Sequence, residues 1–166
     1  FRRVLFRSKV VFEPTSDFSP AGPDEIHVGS NPVGATTSQA GFSGIIDRIE
    51  PAIARDYGPM RFAMTLPFYS GSRTEPLVVS GITGKADALG ITYVDPTHIR
   101  LFWDHWGLGG PTSDLISIEP GRTYALEVDM GSFYPEGATA LSRILSGAQL
   151  AQRRQRLRVS LDGKEV

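Results

Sequence analysis

Along much of this chain the hydrophobic residues recur at every second position. From Met60 to Leu66, the apolar Met60, Phe62, Met64 and Leu66 alternate with Arg61, Ala63 and Thr65, the pattern of a strand with one buried face. "EPLVVSGI" is a short apolar run after a Gly/Ser turn, and "LGITYVD" and "HIRLFWDHW" are two strands joined as a hairpin through Pro96-Thr97. "DLISIEPGRTYALEVDM" is expected to form another hairpin, turned at Pro120-Gly121. Upstream, "KVVFEP" predicts a strand closed by Pro14, "TSDFSPAGPD" a loop, Glu25 to Gly29 a short strand, and Phe42 to Ile49 a second one. "EPAIARDYGP" is a connector.

One segment departs from period two. In "ATALSRILSGAQLAQRRQR", Ala138 to Arg156, the residues Leu141, Ile144, Leu145, Ala148, Leu150 and Ala151 fall on one face, and the residue types favour helix despite Gly147. A helical insertion on the surface of a sheet structure is expected there. "LRVSLDGKEV" then returns to strand, with Asp162-Gly163 the strongest short hairpin signal in the chain and only three residues after it. Lys164-Glu165-Val166 resembles Lys9-Val10-Val11 at a spacing of 155 residues, which predicts a chain cut inside a repeat, with Lys9 onward as the strand leaving such a turn. Coincidence between two common strand tripeptides is the alternative.

Composition narrows the function classes. A chain of 166 residues suits one domain with a real core. Lys+Arg 17 against Asp+Glu 18 leaves a net charge of -1, so no overall field attracts nucleic acid or an anionic membrane, and neither is expected as a partner. With Cys 0 there is no disulfide, thiolate nucleophile or cysteine metal site. No apolar run approaches the roughly 20 residues of a membrane-spanning helix. Gly 18 and Pro 12, spread throughout, suit many turns between short strands.

Two stretches carry a resemblance. "RVSLDGKEV", continued by "PDEIHVGSNPVGATTSQAGFSGIIDRIE", resembles the closing half of a laminin-G-like or concanavalin A-like domain through Asp162-Gly163, Val28-Gly29 and Phe42-Ser43-Gly44-Ile45-Ile46. "HIRLFWDHWGLGGPTSDLISIEPGRTYALEVDMGSFYP" is similar to the middle of uncharacterised bacterial proteins with tandem domains of this type. The resemblance implies an all-β fold: a jelly-roll β-sandwich of two antiparallel sheets, with one helical insertion around 138–156. It implies further that 9–50 close one sandwich, 51–58 link, and 59–166 open the next. The two parts are expected to pack together as a circularly permuted sandwich, because neither covers its apolar faces alone. Residues 1–8, "FRRVLFRS", are similar to translations of a sequencing adapter, and the first native residue is expected at Lys9. The implied role is non-catalytic: carbohydrate or protein recognition, or spacing, in an extracellular or cell-envelope bacterial protein. The alternative is a fragment of a glycan-active enzyme.

"FWDHWGLGGP" is the most distinctive stretch for chemistry. Trp103, Asp104, His105 and Trp106 suit a sugar-binding surface by type, since indole faces stack on pyranose rings and Asp or His fix hydroxyls. Strand alternation favours a structural reading, with Trp103 and His105 on one face, Asp104 and Trp106 on the other, one tryptophan in the core and Asp104-His105 holding the turn. The E-x-D-x-x-E pattern of sandwich glucanases and a G-x-S-x-G elbow are both absent, and His27, His98 and His105 are isolated, so no catalytic residue is expected. Asp87, Asp95, Asp104 or Asp114 are calcium ligands by type, but acidic residues in turns more often cap them, and no metal or cofactor is expected. "QRRQRLR" from Gln152 to Arg158 lacks aromatics and suits a solvated helix end.

Overall fold

A computed structural model describes residues 2–6, 9–13, 25–34, 41–51, 58–69, 71–134 and 140–166. The expected loop at 15–24, most of the connector and the first two residues of the expected helix lie outside them. Among the described residues twelve strands run in chain order: β1 Arg2–Phe6, β2 Lys9–Glu13, β3 Ile26–Val28, β4 Ile45–Pro51, β5 Met60–Thr65, β6 Arg73–Ile82, β7 Lys85–Asp95, β8 His98–His105, β9 Ile116–Ser117, β10 Thr123–Met130, β11 Leu157–Leu161 and β12 Lys164–Glu165. A 3-10 turn, Gly131–Phe133, follows β10, and two helices, α1 Leu141–Ile144 and α2 Gly147–Arg154, precede β11.

The strands build two five-stranded antiparallel sheets, ordered β12-β11-β10-β5-β4 and β3-β6-β7-β8-β9. Period-two alternation makes this a sandwich: Phe62 and Met64 of β5 and Tyr124, Leu126 and Val128 of β10 are buried on one inner face, against Leu89, Ile91, Leu101 and Trp103 on the other. β6 is buried on both faces from Glu75 to Ser80. It tolerates Pro76, which donates no ladder hydrogen bond, because the register against β7 shifts between Pro76 and Val78.

Three expectations change. Pro120-Gly121 does not close a hairpin: β9 pairs with β8 in one sheet, whereas β10 pairs with β5 and β11 in the other. Only two residues of β9 enter a ladder, and the turn carries the chain between layers, pinned where the Gly121 amide donates to Leu66 O at 2.9 Å. The single helix is two. Ser146 caps α2 with its side chain accepting from the Gln149 amide while Gln149 returns a bond to the Ser146 amide, and this capping box ends α1 before it. The break divides the expected apolar face, so Leu141 and Leu150 are buried while Ile144 is exposed. Lastly, β2 pairs with β1, outside both large sheets. The Asp162-Gly163 turn is closed instead by Lys164–Glu165, because both turn residues are left-handed (φ 50 and 78) and the strand that follows at once is entropically nearest.

Candidate functional site

The stretch singled out by sequence ends β8 and enters a glycine-rich loop. Alternation separates its four residues. Trp103 faces inward, 4% exposed, and the Trp103 and His105 rings stack at 5.9 Å between centroids. Asp104, on the other face, accepts hydrogen bonds from the Gly107 amide at 3.1 Å and the Gly109 amide at 2.7 Å, so its carboxylate holds the loop. Trp106 is half-buried and left-handed (φ 45), fixed by its amide bond to Ala86 O at 2.9 Å. The loop then folds back onto Trp103: a Cβ on Gly110 would sit 2.4 Å from the Trp103 ring and backbone oxygen, so only glycine fits.

His105 joins a buried polar group that the sequence reading did not assemble. Asp87 stands opposite His105 in the β7–β8 register, and His105 Nδ1 lies 2.8 Å from Asp87 Oδ1. Ser132 of the 3-10 turn bonds the same carboxylate, and Ser80 of β6 bonds Ser132. A serine nucleophile needs its hydroxyl on the imidazole nitrogen remote from the acid. Here Ser132 bonds the acid itself and is 2% exposed, so the group clasps three strands and the turn together.

Its titration has a defined sign. The bond to Asp87 raises His105 above its ordinary 6.5, outweighing burial, and burial raises the Asp87 carboxyl despite its bonds to His105 and Ser132. Both groups bind protons more tightly folded than unfolded. The pair's contribution to stability is therefore complete at low pH, and it declines as pH rises, through the Asp87 titration and then through that of folded His105. Urea midpoints measured from pH 5 to 9 should fall more steeply for the wild type than for Asp87→Asn, which removes the buried carboxyl and with it the bond that raises His105. Parallel profiles would show that the clasp does not titrate.

Of the other calcium candidates, Asp114 is exposed on the loop before β9 and Asp95 is engaged in its own turn. Asp95 caps its own turn through the Thr97 amide at 2.8 Å and contacts His98 Nδ1 at 2.9 Å. Among the described residues no group of three His, Asp or Glu side chains could hold a metal ion.

A concavity lies elsewhere, between the sheets on the side where the edge strands β9 and β12 both line it. This cleft encloses about 720 Å³. Its floor is apolar, from Leu101 and Trp103 of β8, Tyr124 of β10 and Val159 of β11, with Leu157 and Val166 half-buried beside them. Its rim is polar. There Arg122 pairs with Asp162 at 2.7 Å and Arg158 with Glu165 at 3.0 Å, while Asp162 also accepts from the Ala125 amide at 2.9 Å. Of Trp103, Asp104, His105 and Trp106 only Trp103 is in the cleft lining, and of the calcium candidates only Asp114. The remainder comes from β8 itself, from β7, β9, β10, β11 and β12, and from the loop before β9. The one signal for it in the sequence is the "LRVSL" alternation that turns Leu157, Val159 and Leu161 inward. No protein-family model, no curated protein and no solved structure matches the chain.

Proposed function

We propose that this chain is a non-catalytic β-sandwich recognition module whose ligand site is the cleft between the sheets. The observation that carries this reading is a concavity of about 720 Å³ with an apolar, aromatic-containing floor and a polar rim, a size and composition typical of small-molecule sites. The two-sheet architecture and the Asp162-Gly163 turn support the resemblance to laminin-G-like and concanavalin A-like jelly rolls, and with it a recognition or spacing role in a surface-exposed protein. The resemblance by itself suggests carbohydrate or protein as ligand, whereas the lining of the cleft is what selects the chemistry it takes.

The rim supports binding over hydrolysis. A glycosidase needs one carboxylic acid held protonated beside a second, ionised carboxylate. Asp162 and Glu165 are each engaged by an arginine instead, Arg122 at 2.7 Å and Arg158 at 3.0 Å.

Amide chemical-shift mapping against soluble glycans, peptides and small apolar molecules tests the reading. Shifts should cluster at Leu101, Tyr124 and Val159. They should disappear in Leu157→Arg, which puts a charge at the mouth, and in Val166→Trp, which fills it. Shifts confined to other surfaces, or unchanged in both variants, would overturn the assignment.

A further inference from the structure

Resting on the cleft as the ligand site, we infer that its ligand is an uncharged, predominantly apolar small molecule rather than a sugar. The reason is where the cleft's polar groups are already spent. The Tyr124 hydroxyl, the polar end of the floor's central aromatic, accepts from the Glu119 amide at 2.6 Å. Ser113 Oγ accepts from the Leu101 amide at 3.0 Å and donates to Asp114 O at 2.7 Å. Asp162 holds Arg122 and the Ala125 amide, and Arg158 Nε and Nη2 both reach Glu165, at 3.2 and 3.0 Å. A saccharide entering this space would lose water from its hydroxyls and meet groups that mostly have bonds within the chain already. An apolar molecule loses nothing comparable and covers Leu101, Trp103, Leu157 and Val166.

Charge points the same way. The lining holds three cations, Arg122, Arg158 and Lys164, against three anions, Asp114, Asp162 and Glu165. Two cation–anion pairs are closed by direct contact, and Lys164 and Asp114 are solvent-exposed. Such a rim offers no net field to hold an ionic head group. The site therefore takes a neutral ring system or a single hydrocarbon chain with at most one polar end, and the exposed rim groups meet that end.

The test is a fluorescence titration of the whole chain with N-phenyl-1-naphthylamine, an uncharged probe that brightens in apolar surroundings. Saturable binding of one probe per chain is expected, displaced by 1-dodecanol and untouched by cellohexaose. Leu157→Arg and Val166→Trp should weaken it by at least about tenfold, the first by placing an unpaired charge in the apolar mouth and the second by filling it. Ile82→Ser and Ile144→Ser, which remove exposed apolar side chains elsewhere, should leave it unchanged. If cellohexaose binds in a manner sensitive to Leu157→Arg while the probe does not, the apolar assignment is overturned and the cleft remains a recognition site. If the probe fades as protein concentration rises and sedimentation shows dimers, a second copy of the chain fills the cleft and the small-molecule assignment falls. If nothing binds in a variant-sensitive way, the recognition reading falls with it.

Discussion

Replacing Trp103 by alanine is expected to destabilise the protein by about 3–4 kcal/mol, the lower part of the range for truncating a buried large aromatic. The indole is 4% exposed, stands opposite Leu89 across the β7–β8 ladder, stacks on His105 and supports the returning loop at Gly110. Truncation removes contacts on all of these sides. The cost stays at the low end because the vacated volume adjoins the existing cleft, which water can enter, so no sealed void is left. At about 2–4 °C per kcal/mol for a chain of this size, the melting temperature should fall by roughly 6–16 °C. Hydrogen exchange separates the consequences: the amides of Gly107 and Gly109, held by Asp104, should stay protected longer than those nearer Pro111, which lean on the ring. A loss below about 1 kcal/mol would mean that Trp103 is not part of the packed interior.

Asp129→Ala should rank beside it, at about 3 kcal/mol. Asp129 lies on the outer face of β10 and is nevertheless 3% exposed, because Arg153 of α2, Arg156 just beyond it and the Tyr134 hydroxyl converge on its carboxylate. Arg154 adds a bond from Nε to Tyr134 O at 2.9 Å. Removing the shared anion leaves two guanidinium groups facing each other with no counter-charge, and breaking one side of a buried ion pair costs about 3–5 kcal/mol. The arginine side chains are 34% and 28% exposed, so water recovers part of that loss and the estimate sits at the bottom of the range. Burial, and next the Asp129 bond, hold the Tyr134 phenol above its ordinary 10.0, so its ultraviolet titration should move down in the variant. Because α2 is anchored chiefly through this carboxylate, trypsin should cut after Arg153, Arg154 and Arg156 much faster than in the wild type. Wild-type resistance to trypsin would show that α2 is held by Leu150 and Leu141 alone.

Much of the interior was legible before any coordinates. Met60 to Leu66 alternates, and Phe62, Met64 and Leu66 are the buried members. The Pro96-Thr97 turn joins β7 to β8, and counting back from it places Asp87 opposite His105 once the register shift between Tyr93 and Asp95 is allowed for. That pairing is legible only when the two residues are counted against each other across the turn, since neither alone signals a partner. Asp104 as the holder of its own turn followed from residue type and position. The serines of the clasp were not accessible in this way, since Ser132 reaches Asp87 from a 3-10 turn that no periodicity announces.

The chain's local order was enough to determine most of the strand segments, though not β1, the inward and outward side of most of them, a helical interruption within 138–156, though not its division in two, and the all-β class, because side-chain alternation and turn chemistry act over two to five residues. Tertiary structure alone decided which sheet each strand joins. A Pro-Gly turn suited to a hairpin instead sends β10 to β5, since Tyr124, Leu126 and Val128 gain more from facing Leu89, Ile91 and Leu101 across the sandwich than from lying beside a two-residue strand. The cleft is likewise a product of assembly. Leu101, Tyr124 and Val159 come from three strands and Val166 follows a further one, β12, over a span of 66 positions, and no local signal binds them until the two sheets close on one another.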